Sequence, residues 1–190
     1  MSVTAVDKPY WVLRRDQIQC LASPARQDIL DHLAAGGVMS IKEIAAVVGR
    51  KPSSVYHHAH QLLDVDLIED VGSRIVNRRH ERLFRTPSKR MRLIRALAEP
   101  SNRELMKDLV SATLRQSERD MKAALDSGQG TTEGPGRNLG VFRLVNAPTP
   151  ESLARINEKL DEIAEILWAE AEPDQPRVVL SWSMAPLGDS

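Results

Sequence analysis

Cysteine is almost absent from this chain: Cys20 stands alone in 190 residues. No intrachain disulfide can form, which excludes the stapled scaffolds of small secreted proteins. Redox chemistry would need a bond between chains, and Cys20 is expected to face a core near the helix that begins at Pro24. Long hydrophobic runs are missing too. Nothing approaches the roughly 20 apolar residues that span a bilayer, and no signal peptide is visible. The expectation is a soluble, cytoplasmic protein with no membrane partner. Catalytic signatures are also lacking. There is no nucleophile elbow, no paired-carboxylate setting and no zinc ligand set. The glycine-rich stretch SGQGTTEGPGRN has no Walker lysine after it. No enzymatic activity, cofactor or bound metal is expected.

Net charge is the last absence: 26 Lys+Arg balance 26 Asp+Glu. The balance hides an asymmetry. Residues 1–98 hold 16 basic and 10 acidic side chains, and residues 99–190 the reverse. Between Val71 and Arg95 there are nine Lys+Arg against one Asp+Glu. A basic block of this kind suits phosphate contact, or a solvated arginine-rich surface. The acidic half argues against coating of DNA by the whole protein. Hydrophobic residues make up 42% of the chain, enough for one compact domain or two small ones.

The most informative stretch runs from Ser40 to Glu69. Ser40 followed by Glu43 has the spacing of a capping box, which opens a helix by satisfying two orphan amides. Ile41, Ile44, Ala45 and Val48 give one apolar face at helical spacing. Gly49 can end that helix in the left-handed region. Pro52 suits the first turn of a second helix, with Ser53 or Ser54 as its cap. Val55, Ala59, Leu62 and Leu63 form its inner face. Two short helices across a glycine turn predict a helix-turn-helix, or some other αα-hairpin. Ahead of them, Asp16 to Leu21 predicts a short helix. Ser23-Pro24 opens another, with Ile29, Leu30 and Leu33 inside and Gly36-Gly37 at its end.

Leu67 to Val71 then predicts a strand, and Glu81 to Thr86 a second after Gly72-Ser73-Arg74, with Arg74, Arg78, Arg79 and His80 in the segment between them. A hairpin directly after a helix-turn-helix is a wing. With Leu21-Ala22-Ser23-Pro24-Ala25-Arg26, Ile29-Leu30, Val55-Tyr56-His57-His58, Leu62, Leu67-Ile68-Glu69 and the run Arg78 to Thr86, the chain resembles the winged helix-turn-helix regulators of the ArsR type. The resemblance covers about a third of the chain. It departs from the family in three places. Ala59 stands where Leu is usual. Asp66 stands where Gly is frequent, although Asp tolerates the left-handed region. The residues Ile41 to Val48 lack the cysteines of the metal-sensing branch. The resemblance implies a homodimeric repressor that binds double-stranded operator DNA.

Beyond the wing, Pro87 and Ser88 predict a helix from Lys89 to Ala98. Ser101 with Glu104 reads as a second capping box, opening a helix of about 25 residues to Asp126 with a broken apolar stripe. That helix is expected to pair across a two-fold axis, or to pack on its own C-terminal unit. Residues 127–138 read as a linker. The remainder has a β-α-β pattern: a strand from Leu139 to Val145, a helix capped by Thr149-Pro150, and a strand from Arg177 to Met184. Leu153, Ile156, Leu160, Ile163 and Leu167 recur along the helix at spacings of three and four. Two strands alone are marginal and need the long helix or a second subunit to complete a sheet. The expected class is therefore α+β and mostly helical. It has a winged domain over 10–98, a dimerisation helix over 101–126, and a C-terminal unit over 139–185 serving dimerisation or effector binding.

The candidate DNA contacts follow from the helical wheel. With Val55, Ala59 and Leu62 turned in, Ser53, Ser54, Tyr56, His57, His60 and Gln61 are left to meet the major groove. Arg50 and Lys51 in the turn should meet phosphates, and Arg78, Arg79 and Arg82 the backbone or minor groove. Four alternatives stay open. Winged helices also bind protein. His57 and His60, three residues apart, could share a metal ion given a third ligand. Phe142, Trp168, Trp182 and Met184 could line a pocket for a small-molecule effector, or form core. Trp11, in the apolar patch Tyr10 to Leu13, could join a dimer interface or pack within its own domain.

Overall fold

Ser40 caps the first helix of the central pair as its spacing requires. Its Oγ accepts from the Glu43 amide, and Glu43 Oε2 accepts from the Ser40 amide at 2.8 Å. The structure, a computed structural model, describes residues 8–169 and 176–188. The tail read at Met1 to Asp7 and the stretch 170–175 of the C-terminal unit lie outside the described residues. The chain divides into two compact units, Met1–Gln116 and Ser117–Ser190, with the boundary inside the long helix.

In the first unit, β1 (Tyr10–Trp11) leads to α1 (Arg15–Leu21) and α2 (Pro24–Gly36), and α2 stops where Gly37 takes φ 77°. A two-residue strand, β2 (Met39–Ser40), precedes α3 (Ile41–Val47) and α4 (Pro52–Leu63). Pro52 takes the first helical position of α4, but the cap residue is Lys51, with no side-chain bond. Ser53 and Ser54 are therefore inside the helix, not ahead of it. Ile18, Ile29, Leu33, Ile44, Val55, Ala59, Leu62 and Leu67 are fully buried in one cluster. Ala59 has no exposed surface, so its small side chain lets α4 sit close to its neighbours. Replacing Ser40 by Ala is expected to cost about 1 kcal/mol through the lost cap. A lower denaturant midpoint at unchanged slope would register it.

The wing is longer than its sequence suggests. Strands β3 (Glu69–Val76) and β4 (Arg79–Arg85) pair antiparallel, and β2 adds a third strand through Met39 opposite Phe84 and Ser40 opposite Leu83. The turn is Asn77-Arg78, both at positive φ (51° and 61°), inside the segment read as joining the two strands. Two central residues of positive φ make the tight hairpin turn whose twist matches the flanking strands. Gly72 has another task. Asp70 lies opposite Phe84 and Ser73 opposite Arg82, so Val71 and Gly72 share one partner in a β-bulge. Gly72 takes φ 107° there, and its amide donates to Asp70 Oδ1 at 2.9 Å.

Past the wing, the expected helix from Lys89 is mostly replaced. Ser88 Oγ accepts from the Arg90 amide at 2.9 Å, which makes a turn. Met91–Arg92 then becomes β5, parallel to β1, and only Ile94–Leu97 is helical (α5). Trp11 is half-buried in this small sheet, with the Arg95 guanidinium 3.7 Å from its ring centroid. It packs within its own domain. Ser101 caps nothing: Glu99 accepts from its amide and hydroxyl, and a 3-10 turn at Pro100–Asn102 leads into α6 (Arg103–Ser127). Met106, Leu109 and Ala112 of α6 are buried, while Val110 and Leu114 stay exposed.

In the second unit, Thr149 caps α7 (Pro150–Trp168) by accepting from the Ser152 amide at 3.2 Å. The two strands read from the sequence are not formed. Residues 139–145 and 177–184 carry no strand, and no residue of α7 is buried. A strand exists only through a ladder partner. The single chain pairs neither segment with any of its described strands.

Candidate nucleic-acid interface

The surface opposite the buried face of α4 is built by the helix-turn-helix geometry. Val55, Ala59 and Leu62 turn inward. That leaves Ser53, Tyr56 and His57 exposed, with Ser54 and His60 partly covered. The Tyr56 and His60 rings meet at 4.3 Å between centroids. Lys51 is exposed at the amino end of α4 and Arg50 is half-buried beside it. Gly49, at φ 63°, permits the sharp turn that brings both cations there. Arg50 Nε is out of water without a hydrogen-bond partner.

Gln61 has a different place from the one the wheel suggests. Its Oε1 accepts from Arg26 Nη1 at 2.9 Å and lies 3.4 Å from His58 Nδ1. Arg26 also donates from Nε to the Cys20 carbonyl. Gln61 thus ties α4 to the opening of α2. Burial is the main influence lowering the His58 pKa, which favours its neutral form. Cys20 is buried and its thiol pKa is raised by burial, so it offers neither access nor thiolate for a bond between chains.

The turn from α4 into the wing is held from below. Asp66 takes φ 57°, and the Tyr10 hydroxyl donates to its carbonyl at 3.2 Å. The Val65 carbonyl accepts from Arg14 Nη2 at 2.8 Å and from Gln17 Nε2 at 3.0 Å. Arg14 also meets the Asp66 carboxylate at 2.9 Å. Helix α4 and the wing are therefore positioned by the same N-terminal segment.

Ion pairs sort the wing's cations into two sets. Arg74 Nη2 lies 2.7 Å from Glu43 and 3.5 Å from Glu81, and Lys42 Nζ lies 2.6 Å from Glu81. This clamp joins the wing to the start of α3. Arg82 bonds Asp70 at 2.5 Å and Arg85 meets Glu69 at 3.0 Å. Arg82, read from the sequence as a DNA contact, therefore braces the bulge, with its guanidinium 5.4 Å from the Phe84 ring centroid. Arg78, Arg79 and His80 at the tip are exposed, and among the described residues Arg78 and Arg79 meet no carboxylate. The sequence carried a signal for this tip: an Asn at a two-residue turn between alternating runs.

The clamp has a pH dependence whose sign is fixed. Lys42 holds the Glu81 pKa below its ordinary 4.5, and Arg74 does the same for Glu43. The Gly72 amide, then Arg82, hold Asp70 below 3.8. Depressed carboxylates contribute stability that is fully present above their unfolded values and lost as pH falls through the folded ones. Amide exchange in β3 and β4 is therefore expected to accelerate below about pH 4.5 relative to α2, and the acceleration should shrink in 1 M salt.

Other candidates are not assembled. Among the described residues no three His, Cys, Asp or Glu side chains gather to hold a metal ion, so His57 and His60 lack a third ligand. Phe142, Trp182 and Met184 are each more than half exposed, and Trp168 is partly covered at the end of α7. In the single chain these residues make neither a closed pocket nor a core. A cavity of about 340 Å³ lies in the first unit, between Leu97, Pro100, Met106 and Val110, with Arg103 and Lys107 at its edge. No described helix is long and apolar enough to cross a membrane.

Residues 21–71 match a family described as a helix-turn-helix domain. The match begins at the last residue of α1 and ends in β3, so it contains α3, α4 and the turn between them. No curated protein matches the chain.

Proposed function

We propose that this protein is a homodimeric winged helix-turn-helix repressor of the ArsR type that reads operator DNA. The helix-turn-helix domain points to DNA binding and transcriptional regulation, typically without enzymatic activity. The observation that carries the finer reading is the sorting of cations. Nearly every wing arginine close to a carboxylate is neutralised by it, whereas Arg78 and Arg79 at the tip, and Lys51 at the start of α4, are left open. Spare cations at the end of a helix and at a wing tip suit the phosphates on either side of one groove.

In this reading α4 enters the major groove. Ser53, Ser54, Tyr56, His57 and His60 face base edges and phosphates. Arg50 and Lys51 hold the backbone at one end, and Arg78 and Arg79 meet the backbone or minor groove beyond. No Arg or Asn occupies the middle of α4, so bidentate reading of guanine or adenine is not the main source of specificity. DNA shape carries part of it. Gln61 and Arg82 act from behind by fixing α4 and the wing. Val110 and Leu114 on the exposed side of α6 contribute to the two-fold contact.

Equilibrium binding to duplex DNA across a range of salt tests the reading. A DNA reader loses affinity steeply, with a log–log slope of about −0.9 for each phosphate contacted. A flat, weak response would instead identify a module whose wing and helix meet protein.

A further inference from the structure

We propose that residues 139–169 and 176–187 contribute to a composite β-α-β layer with a second copy of this chain, in which the two extended segments of each copy pair across the two-fold axis and both α7 helices cover one face. The inference deepens the dimer of the proposed regulator by naming the surface that makes it.

Exposure is the first observation. Fifteen large apolar side chains between Val141 and Leu187 stand open in the single chain, among them Val141 at 83%, Leu144 at 89% and Trp182 at 51%. Summed over these side chains, the exposed apolar surface is on the order of 1,500 Å², more than the roughly 800 Å² that each partner contributes to a standard stable interface. The first unit, by contrast, buries Ile18, Ile29, Leu33 and Phe84 almost completely.

The second observation is that two strand-like segments lie outside both described sheets. Val178, Leu180, Trp182 and Met184 alternate with Val179, Ser181 and Ser183, which is strand periodicity, yet neither this segment nor 139–145 enters either described sheet. Two strands from one chain are marginal, and two copies supply four, enough for an independently stable sheet with one covered face.

The occupant follows from chemistry. Leu153, Ile156, Leu160, Ile163 and Leu167 lie on one stripe of α7, and no charged residue interrupts it. Glu158, Asp161, Glu162 and Glu165 occupy the other side. A two-fold contact requires a patch complementary to itself. An uncharged apolar stripe and an open strand edge both meet that requirement. The acidic side, which would repel its own copy, is turned away from the stripe.

The test uses the full chain. Sedimentation equilibrium gives the oligomeric state, and hydrogen exchange above and below the dissociation concentration reports the amides of 139–145 and 177–184. The expected result is a dimer whose amides in both segments are protected and lose that protection on dilution. Leu160→Asp with Ile163→Asp should give a monomer in which amide protection of α2 and α4 is unchanged. A milder variant, Leu180→Ser, should weaken dimerisation at least tenfold. A monomer at all concentrations overturns the proposal. So does a dimer whose two segments exchange as free coil, or protection that survives dilution to monomer. Loss of DNA selectivity with the dimer intact would instead count against the regulator reading alone.

Discussion

Replacing Arg78 by Gly together with Arg79 by Ala is expected to weaken DNA binding sharply while leaving the winged domain folded. Two lost phosphate contacts should flatten the log affinity–log salt slope by about 1.8. The loss should be nearly uniform across sequences, because backbone contacts position the protein without reading bases. The same change tests why an arginine sits at the turn at all. Arg78 holds φ 61°, a region that costs a side-chain-bearing residue about 1 kcal/mol. Glycine occupies that region freely. The Arg78→Gly variant alone should therefore be somewhat more stable to heat and yet bind DNA less tightly. Opposite signs in stability and binding are what a strained functional residue produces. If affinity and salt slope both stay at wild-type values, the tip does not touch phosphate.

Phe84→Ala is expected to produce the largest loss of stability, about 3–5 kcal/mol. Phe84 is 1% exposed and stands opposite Met39 on β2 and Asp70 on β3. It is the residue through which the wing enters the core formed by α2, α3 and α4. A domain of this size holds only about 5–15 kcal/mol in total, so much of the margin would go. Chemical denaturation monitored by helical circular dichroism measures it. DNA binding should fall as well, since the bulge at Val71–Gly72 loses its backing and the tip its aim. A variant with wild-type stability would show that the wing is joined to the domain by its ion pairs instead. The contrasting change, Arg82→Ala, should loosen the wing with a smaller reduction in salt slope than the tip variants, because Arg82 already has Asp70 as its partner.

The helix-turn-helix was legible because each of its signals is local. A capping box, a glycine past a helix end and a proline at a helix start act over four residues or fewer, and Ser40, Gly49 and Pro52 all occupy those places. Asp66 in the left-handed region was legible for the same reason. The wing turn was not, because a glycine of positive φ serves a bulge as well as a turn. Gly72 looks like punctuation in sequence, while Asn77 and Arg78 make the reversal. Helical periodicity found the inner face of α4 but could not see Arg26, 35 positions away, which claims Gln61. The helix expected at Lys89 yielded to a strand because Tyr10–Trp11 offered it a parallel partner, a long-range event that propensity does not record. The C-terminal strands fail for a related reason. Their alternation is plain in the sequence, but a strand forms only with a ladder partner, and neither segment enters either described sheet.

The central claim is that α4 and the wing tip read duplex DNA as a two-fold pair. Selection from a pool of random duplexes at near-physiological salt, followed by sequencing, tests it most directly. The account predicts enrichment of a palindrome whose half-sites lie about one helical turn, roughly 10 base pairs, apart. Recovery of no preferred sequence, with only weak salt-sensitive binding, would contradict it.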